Sequence, residues 1–298
     1  MGRPARGIAA GLAGLAGVLF AGHWIAGFLA ERWWTAEVAP GAMALVTTGR
    51  LIALGLEAGA VILAATWFAA HFILVARAIG SIQFPRRFGD LEIREAIAPA
   101  VVTTSAIALA LLLGVLVGAG TGHWAPAVAL AWHGVHFGLT DPILNHDAGL
   151  YVAQLPVWLG ALGFLRTLVV VALAGVALLY FALGAIRIGP GGLALSDHAR
   201  IHLGLLGAGV IALAGLGTAL APLRAVGGMG GAELPNPFQA DMDGVIGVIL
   251  GSAAVLMVIW AFRGRGALLI AGLFAALLAL ATLMVLPAVG LPGASTDA

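Results

Sequence analysis

Histidines and carboxylates are the side chains with the most chemistry in this chain, and they gather in a few places. His123, His133, His136 and His146 share one stretch with Asp141 and Asp147. Imidazole with carboxylate is a donor set that suits zinc or copper. His133 and His136 are three residues apart and would share a helix face. The spacing matches no H-E-x-x-H pattern. His133, His136 and His146 are therefore weak metal candidates, with interfacial histidines as the plainer reading. A second grouping is His23, His71 and His202, each inside an apolar stretch. A b-type haem held by two histidines needs them at matching depth on facing helices. His23 would lie ~22 Å and His71 only ~9–12 Å from the same side of the membrane, at the rise of an α-helix. His202 is closer to His71 in depth, but the match is still poor. No cofactor is expected. Ser196, Asp197 and His198 are adjacent in the chain and form no catalytic triad; Ser196 or Asp197 reads as a helix cap.

Glu57 is the most exceptional charge. It stands about two turns inside an apolar stretch, where a carboxylate is costly and normally paired or protonated. Arg50 lies on roughly the same face, ~10 Å away along the helix axis. Arg166 enters another apolar stretch from the same side. A structural pair, Glu57–Arg50 or Glu57–Arg166, is expected; the alternative is a proton or ion relay.

The elements that must position these residues are helices in lipid. Of 298 residues, 62% are hydrophobic and 9% charged, and the mean hydropathy is +1.09. A soluble globular chain carries about 25% charged residues. A bilayer core of about 30 Å takes ~20 apolar helical residues. Seven stretches qualify: 8–29, 51–77, 96–119, 157–186, 201–220, 244–262 and 267–286. The sequence thus reads as an all-α, polytopic membrane protein with about seven transmembrane helices, forming one membrane domain over 1–298. The apolar run over 8–29 is longer than a signal-peptide core and reads as a retained anchor. The residues before Leu51 read as interfacial, and 81–95 reads as a polar loop. Cysteine is absent, which excludes disulfides and thiolate chemistry. A net charge of +1, with arginines scattered over short loops, argues for no nucleic-acid partner. Gly204, Ala208 and Ala212 are spaced by fours and suit close helix packing. No internal repeat of the kind found in many transporters is visible.

Arginine sets orientation. One set of helix ends carries ten arginines, including Arg3, Arg6, Arg77, Arg86, Arg87 and Arg94. The other carries Arg32, Arg50, Arg166 and Arg224. This bias places the N-terminus inside, the C-terminus outside, and the stretch 120–156 on the outer side of a bacterial cytoplasmic (inner) membrane.

Within that outer stretch stands the most specific motif, Phe137-Gly-Leu-Thr-Asp-Pro-Ile-Leu-Asn-His-Asp-Ala-Gly-Leu-Tyr-Val-Ala-Gln-Leu-Pro156. Thr140-Asp141-Pro142 is a turn signal, since Asp bonds nearby backbone N–H groups and Pro fixes φ. Asp147, Tyr151 and Pro156 complete the pattern. The whole reads as an extracytoplasmic re-entrant or interfacial hairpin between the third and fourth spans. Such backbone is tolerated at that depth only under protein cover or in contact with water. The stretch resembles the signature of uncharacterised protein family 0182, approximately F-G-x-T-D-P-x-F-x-x-D-x-x-F-Y-x-F-x-L-P. Phe137, Gly138, Thr140, Asp141, Pro142, Asp147, Tyr151, Leu155 and Pro156 match it, whereas Leu144, Leu150 and Ala153 replace phenylalanines. Arg32-Trp33-Trp34, Thr48 with Arg50, and Ala199-Arg200-Ile201-His202-Leu203 also resemble the family. The family's G-x-T-D loop before the sixth span is replaced by Glu233 to Asp243. Its members usually continue into a large extracytoplasmic domain. The resemblance therefore implies a seven-span membrane module, a reduced form acting within a larger assembly; it implies no activity.

Three functional readings follow. The first is a non-catalytic integral membrane subunit or scaffold, whose partners are the lipid bilayer and other membrane protein subunits. The second is a small-solute transporter or channel, motivated by Glu57 and the outer hairpin. The third is a histidine-based metal or haem redox protein. The sequence names no enzyme reaction.

Overall fold

The computed structural model describes residues 18, 22, 24–79, 83–88, 91–96, 99–134, 136–189, 192–228 and 237–285. Helix dominates. The first described helix, α1, covers 24–38. A 3₁₀ turn, Pro40–Ala42, leads into α2, Met43–Ile79. Then follow α3 (Pro99–Gly118), a 3₁₀ turn Thr121–Trp124, and α4 (Ala125–His133). A single π turn, Leu150–Gln154, opens directly into α5 (Leu155–Ala182). The chain continues through α6 (Asp197–Ala219), the short α7 (Ala221–Val226), α8 (Pro237–Arg263) and α9 (Gly266–Val285). The Ser196 hydroxyl accepts the Ala199 N–H at 3.3 Å and caps α6.

Five helical stretches are long and apolar enough to cross a membrane among the described residues: Pro40–Ala78, Ala100–His133, Leu150–Ala182, Asp197–Ala219 and Met242–Arg263. They coincide with the second to sixth spans read from sequence. Most of 8–29 lies outside the described residues. The seventh span corresponds to α9, whose apolar run Gly266–Thr282 is shorter.

Several local expectations change. The residues from Met43 are continuous with the span that follows; α2 is one helix of 37 residues. At 1.5 Å per residue it is ~55 Å long and must tilt or project beyond a ~30 Å core. The loop 81–95 is a hairpin, with β1 (Gln83–Phe88) antiparallel to β2 (Leu91–Ala96) and Arg87 opposite Glu92. A second hairpin, β3 (Ile186–Gly189) with β4 (Gly192–Leu195), joins α5 to α6.

Three packing centres hold the helices, one of them Ala208 of α6 with Ala254, Met257 and Trp260 of α8. The first gathers Ala64, Phe68, Phe72 and Val75 of α2, Ala110 of α3, Leu168, Ala172, Val176 and Tyr180 of α5, and Ala199 and Leu206 of α6. The second joins α8 to α9 through Ile246, Leu250, Ala253, Ala276 and Ala279, with Ile211 and Ala214 of α6 against it. Small residues set the closest approaches, as expected where lipid supplies no hydrophobic drive between helices. A Cβ on Gly118 would stand 2.5 Å from the Val61 nitrogen, and one on Gly114 2.6 Å from the Ala65 Cβ. On α6 the seam toward α8 runs through Gly204, beside Ala261, and the buried Ala208, then Gly215, beside Gly247. Ala212 is exposed and stands off that seam, because spacing by fours drifts around a helix of 3.6 residues per turn.

Candidate functional site

Two polar constructions stand out. The first, the loop that the arginine bias would put outside, lies between α4 and α5. Thr140 and Asp147 form an isolated antiparallel bridge. The Asp141 N–H donates to the His146 carbonyl at 2.9 Å, and the Ala148 N–H to that of Leu139 at 2.8 Å. Inside this narrow loop each aspartate gathers backbone donors. Asp141 accepts the N–H groups of Ile143 (2.9 Å), Leu144 (2.6 Å) and His146 (2.8 Å), and the Tyr151 hydroxyl at 2.7 Å. Asp147 accepts those of Phe137 (3.2 Å), Gly138 (2.9 Å) and Gly149 (2.7 Å).

Gly138 has φ +67°, where a side chain would be strained, and Asn145 takes the left-handed region at φ +61°. Tyr151 is buried, while Phe137 is half exposed. Pro142 occupies the turn, and Pro156 stands in the first turn of α5, directly after the π turn. Burial pushes the Asp141 carboxyl up, but the donors from Leu144, Tyr151, His146 and Ile143 outweigh it and hold the group below the usual carboxylate range. The N–H groups of Gly149 and Phe137, followed by Gly138 and the nearby His136, lower Asp147 as well.

The inner construction joins three helices. His71 of α2 and His202 of α6 share a hydrogen bond, Nδ1 to Nε2, at 2.7 Å, with ring centroids 5.0 Å apart. On the other ring nitrogen of His202, Nδ1, lies the Tyr180 hydroxyl of α5 at 3.2 Å. Trp67 meets His71 edge-on at 4.5 Å. Its indole N–H is buried without an acceptor among the described residues. Phe68, Phe72, Val75 and Tyr180 seal the surroundings.

Two arrangements of protons satisfy the trio: Tyr180 donates to His202 Nδ1 and His202 Nε2–H to His71 Nδ1, or His71 Nδ1–H donates to His202 Nε2 and His202 Nδ1–H to the Tyr180 hydroxyl. The depth argument from sequence kept these histidines apart. The structure brings them into contact because helix crossing and two long side chains absorb an offset of a few ångströms. His23 lies outside the described residues.

The remaining candidates disperse. Arg50 pairs with Glu31 of α1, not with Glu57. The half-buried Glu57 accepts the Gly120 N–H at 2.9 Å. Gly120 is the left-handed residue, φ +89°, at the exit of α3. A backbone turn thus supplies the partner that an arginine was expected to give. Glu57 and Arg166 form no ion pair among the described residues; the Arg166 guanidinium instead lies against α6 at Gly217. His133 bonds back to the Ala129 carbonyl at 2.7 Å, and His146 is exposed. Among the described residues no three metal-ligating side chains converge. Sequence reasoning missed the Tyr180–His202–His71 trio. The signal available was scarcity: the chain has two tyrosines, and both hydroxyls meet a titratable side chain.

This architecture is that of a multi-helix module with apolar, membrane-length helices. The sequence profile of the Uncharacterised protein family (UPF0182) matches residues 8–290, and the chain belongs to that family. A UPF0182 protein of Kocuria rhizophila is 32% identical over 167 residues, 53% of this chain and 17% of that protein. One of Paenarthrobacter aurescens is 32% identical over 175 residues, 56% of this chain and 17% of the relative. One of Salinispora arenicola is 35% identical over 99 residues, 32% of this chain and 10% of the relative. The chain therefore spans under a fifth of the length of these relatives. No solved structure matches it.

Proposed function

We propose that this chain is a non-catalytic membrane module, one domain over 1–298, that packs against partner membrane proteins in a bacterial cytoplasmic membrane. Its N-terminus lies inside, its first and seventh spans complete the bundle, and the Phe137–Pro156 segment forms the outer interfacial hairpin. The observation that carries the reading is where the carboxylates point. Asp141, Asp147 and Glu57 direct their oxygens to the chain's own N–H groups and, for Asp141, to Tyr151. Such groups shape backbone; they are not held open for a substrate. In this reading Phe137, Gly138, Thr140, Asp141, Pro142, Asp147, Tyr151 and Pro156 are structural.

The test is purification of the tagged chain from its native host in a gentle detergent, with quantitative mass spectrometry. Co-purification of membrane proteins at fixed stoichiometry is expected. A chain that purifies alone, and moves a solute across proteoliposomes, overturns the reading in favour of a transporter. One observation favours that second reading: Glu57 lines an apolar cavity of about 350 Å³ with Trp24, Leu54, Val61 and Val115. Fusing alkaline phosphatase to the C-terminus tests orientation. An active enzyme supports an outside C-terminus, and an inactive one with an active cytoplasmic reporter reverses the topology.

A further inference from the structure

Arg166 is a cation at membrane depth that the described chain does not neutralise. It lies about 16 Å from the start of α5 at the rise of a helix, in a bilayer core of about 30 Å. It is exposed. The guanidinium rests on α6 where Gly217 makes room; a Cβ there would stand 3.2 Å from Nη2. Along α5, a Cβ on Gly163 would meet nothing within 4 Å, and Val170 is 48% exposed. On α6, Ala212 and Leu216 are exposed as well. α5 and α6 thus carry exposed small and apolar residues together with one positive charge. Small residues are what close helix–helix packing in lipid requires, and an unpaired intramembrane charge is costly.

We infer that the exposed face of α5 and α6 around Arg166 docks a transmembrane helix of another protein that carries an aspartate or glutamate, whose carboxylate pairs with Arg166. The inference rests on the assembly reading and names the chemistry of the partner. Charge complementarity selects a carboxylate. A guanidinium presents a planar fork of donors that a carboxylate accepts in pairs. Membrane depth selects a helix, since a spanning segment must satisfy its own backbone.

The experiment places a photo-crosslinking amino acid at Val170 of the full chain in native-host membranes. The expected product is an adduct with an integral membrane protein. Its yield should fall about tenfold in Arg166→Gln, equivalent to a pair contributing ~1.4 kcal/mol, and persist in Arg166→Lys. Arg166→Glu should abolish the adduct, and an acidic-to-Arg change in the captured partner's span should restore it. Unchanged melting temperatures of the variants show that they fold; where Arg166→Gln does not fold, the Lys and Glu variants and the partner's reciprocal change carry the decision. Adducts with phospholipid alone, or protein adducts indifferent to residue 166, overturn the docking site. If wild-type and Arg166→Gln chains then still co-purify with the same membrane proteins, the assembly reading stands without it. If the wild type retains none, both fall.

Discussion

The outer loop and the inner histidine pair meet the same physical demand by opposite means. Each holds polar groups next to an apolar phase, where an unmatched donor or acceptor costs several times what a formed bond contributes. The outer loop solves it locally. Asp141 and Asp147 reach donors no more than ten residues away, nearly all of them backbone N–H groups. The inner pair solves it across the fold. His71 and His202 are 131 residues apart in sequence, and Tyr180 comes from a third helix. A local solution shapes one segment and leaves the bundle free. A distributed one ties α2, α5 and α6 together, so it reports on the packing of the whole bundle. The outer loop should therefore respond to substitution as a unit of its own, the inner pair as part of the global transition.

The largest expected effect is that of Asp141→Ala. It strands three backbone donors and the Tyr151 hydroxyl, at a cost of about 1–3 kcal/mol. Melting in detergent should fall by several degrees. Hydrogen exchange should rise in 137–151 while the α2 and α6 cores stay protected. Equal loosening of the cores would remove the distinction between local and distributed solutions.

Next comes His202→Phe, which leaves His71 and the Tyr180 hydroxyl facing carbon. Interhelical hydrogen bonds in membranes contribute about 0.6–1.7 kcal/mol, so a loss of that order is expected, spread over α2, α5 and α6. Adding Tyr180→Phe should recover part of it, because the stranded hydroxyl goes too. If the double variant is no more stable than the single one, the trio does not act as one network.

Acid should separate the regions further. Both Asp141 and Asp147 are held below the usual carboxylate range. A depressed folded-state value contributes stability that is present above the unfolded value of about 3.9 and is lost as pH falls through the folded one. Exchange protection of the amides of Ile143, Leu144, His146 and Gly149 should therefore hold at neutral pH and fade below about pH 4. Asp141→Asn should flatten that profile. Protection that is independent of pH in the wild type would break the electrostatic account of the loop.

This contrast also explains what could be read before any fold was in view. The outer segment was legible because its causes are local: Thr140-Asp141-Pro142 is a turn, and Asp147 with Tyr151 lies within reach of it. The membrane-length helices were legible from apolar length alone. The histidine pair was not, because helix crossing and tilt decide which residues of distant spans meet. The β1–β2 hairpin was missed although Leu91 and Ile93 alternate with Glu92 and Arg94, since charge density outweighed periodicity in the reading. Glu57 was misjudged for a physical reason. A search for its partner among side chains overlooks the backbone, and the Gly120 N–H at the end of α3 is a donor that no pattern of charged residues discloses.

That last correction carries the smallest expected effect and the sharpest one. Glu57 was expected to need an arginine, so Glu57→Gln should then be costly. The structure gives it a backbone N–H instead, and glutamine keeps a carbonyl oxygen on the same side-chain length to accept it. Glu57→Gln should therefore change stability by no more than about 0.5 kcal/mol, whereas Glu57→Leu should cost about 1 kcal/mol or more by leaving the Gly120 N–H unmatched. Arg50→Gln should behave as the loss of an exposed pair with Glu31, within about 1 kcal/mol, and should add to Glu57→Gln without coupling. A double-mutant cycle on Arg50 and Glu57, read by thermal melting, decides the matter. Coupling between them of about 1 kcal/mol or more would restore the ion pair and place Glu57 with the local contacts, not with the distributed bond to Gly120.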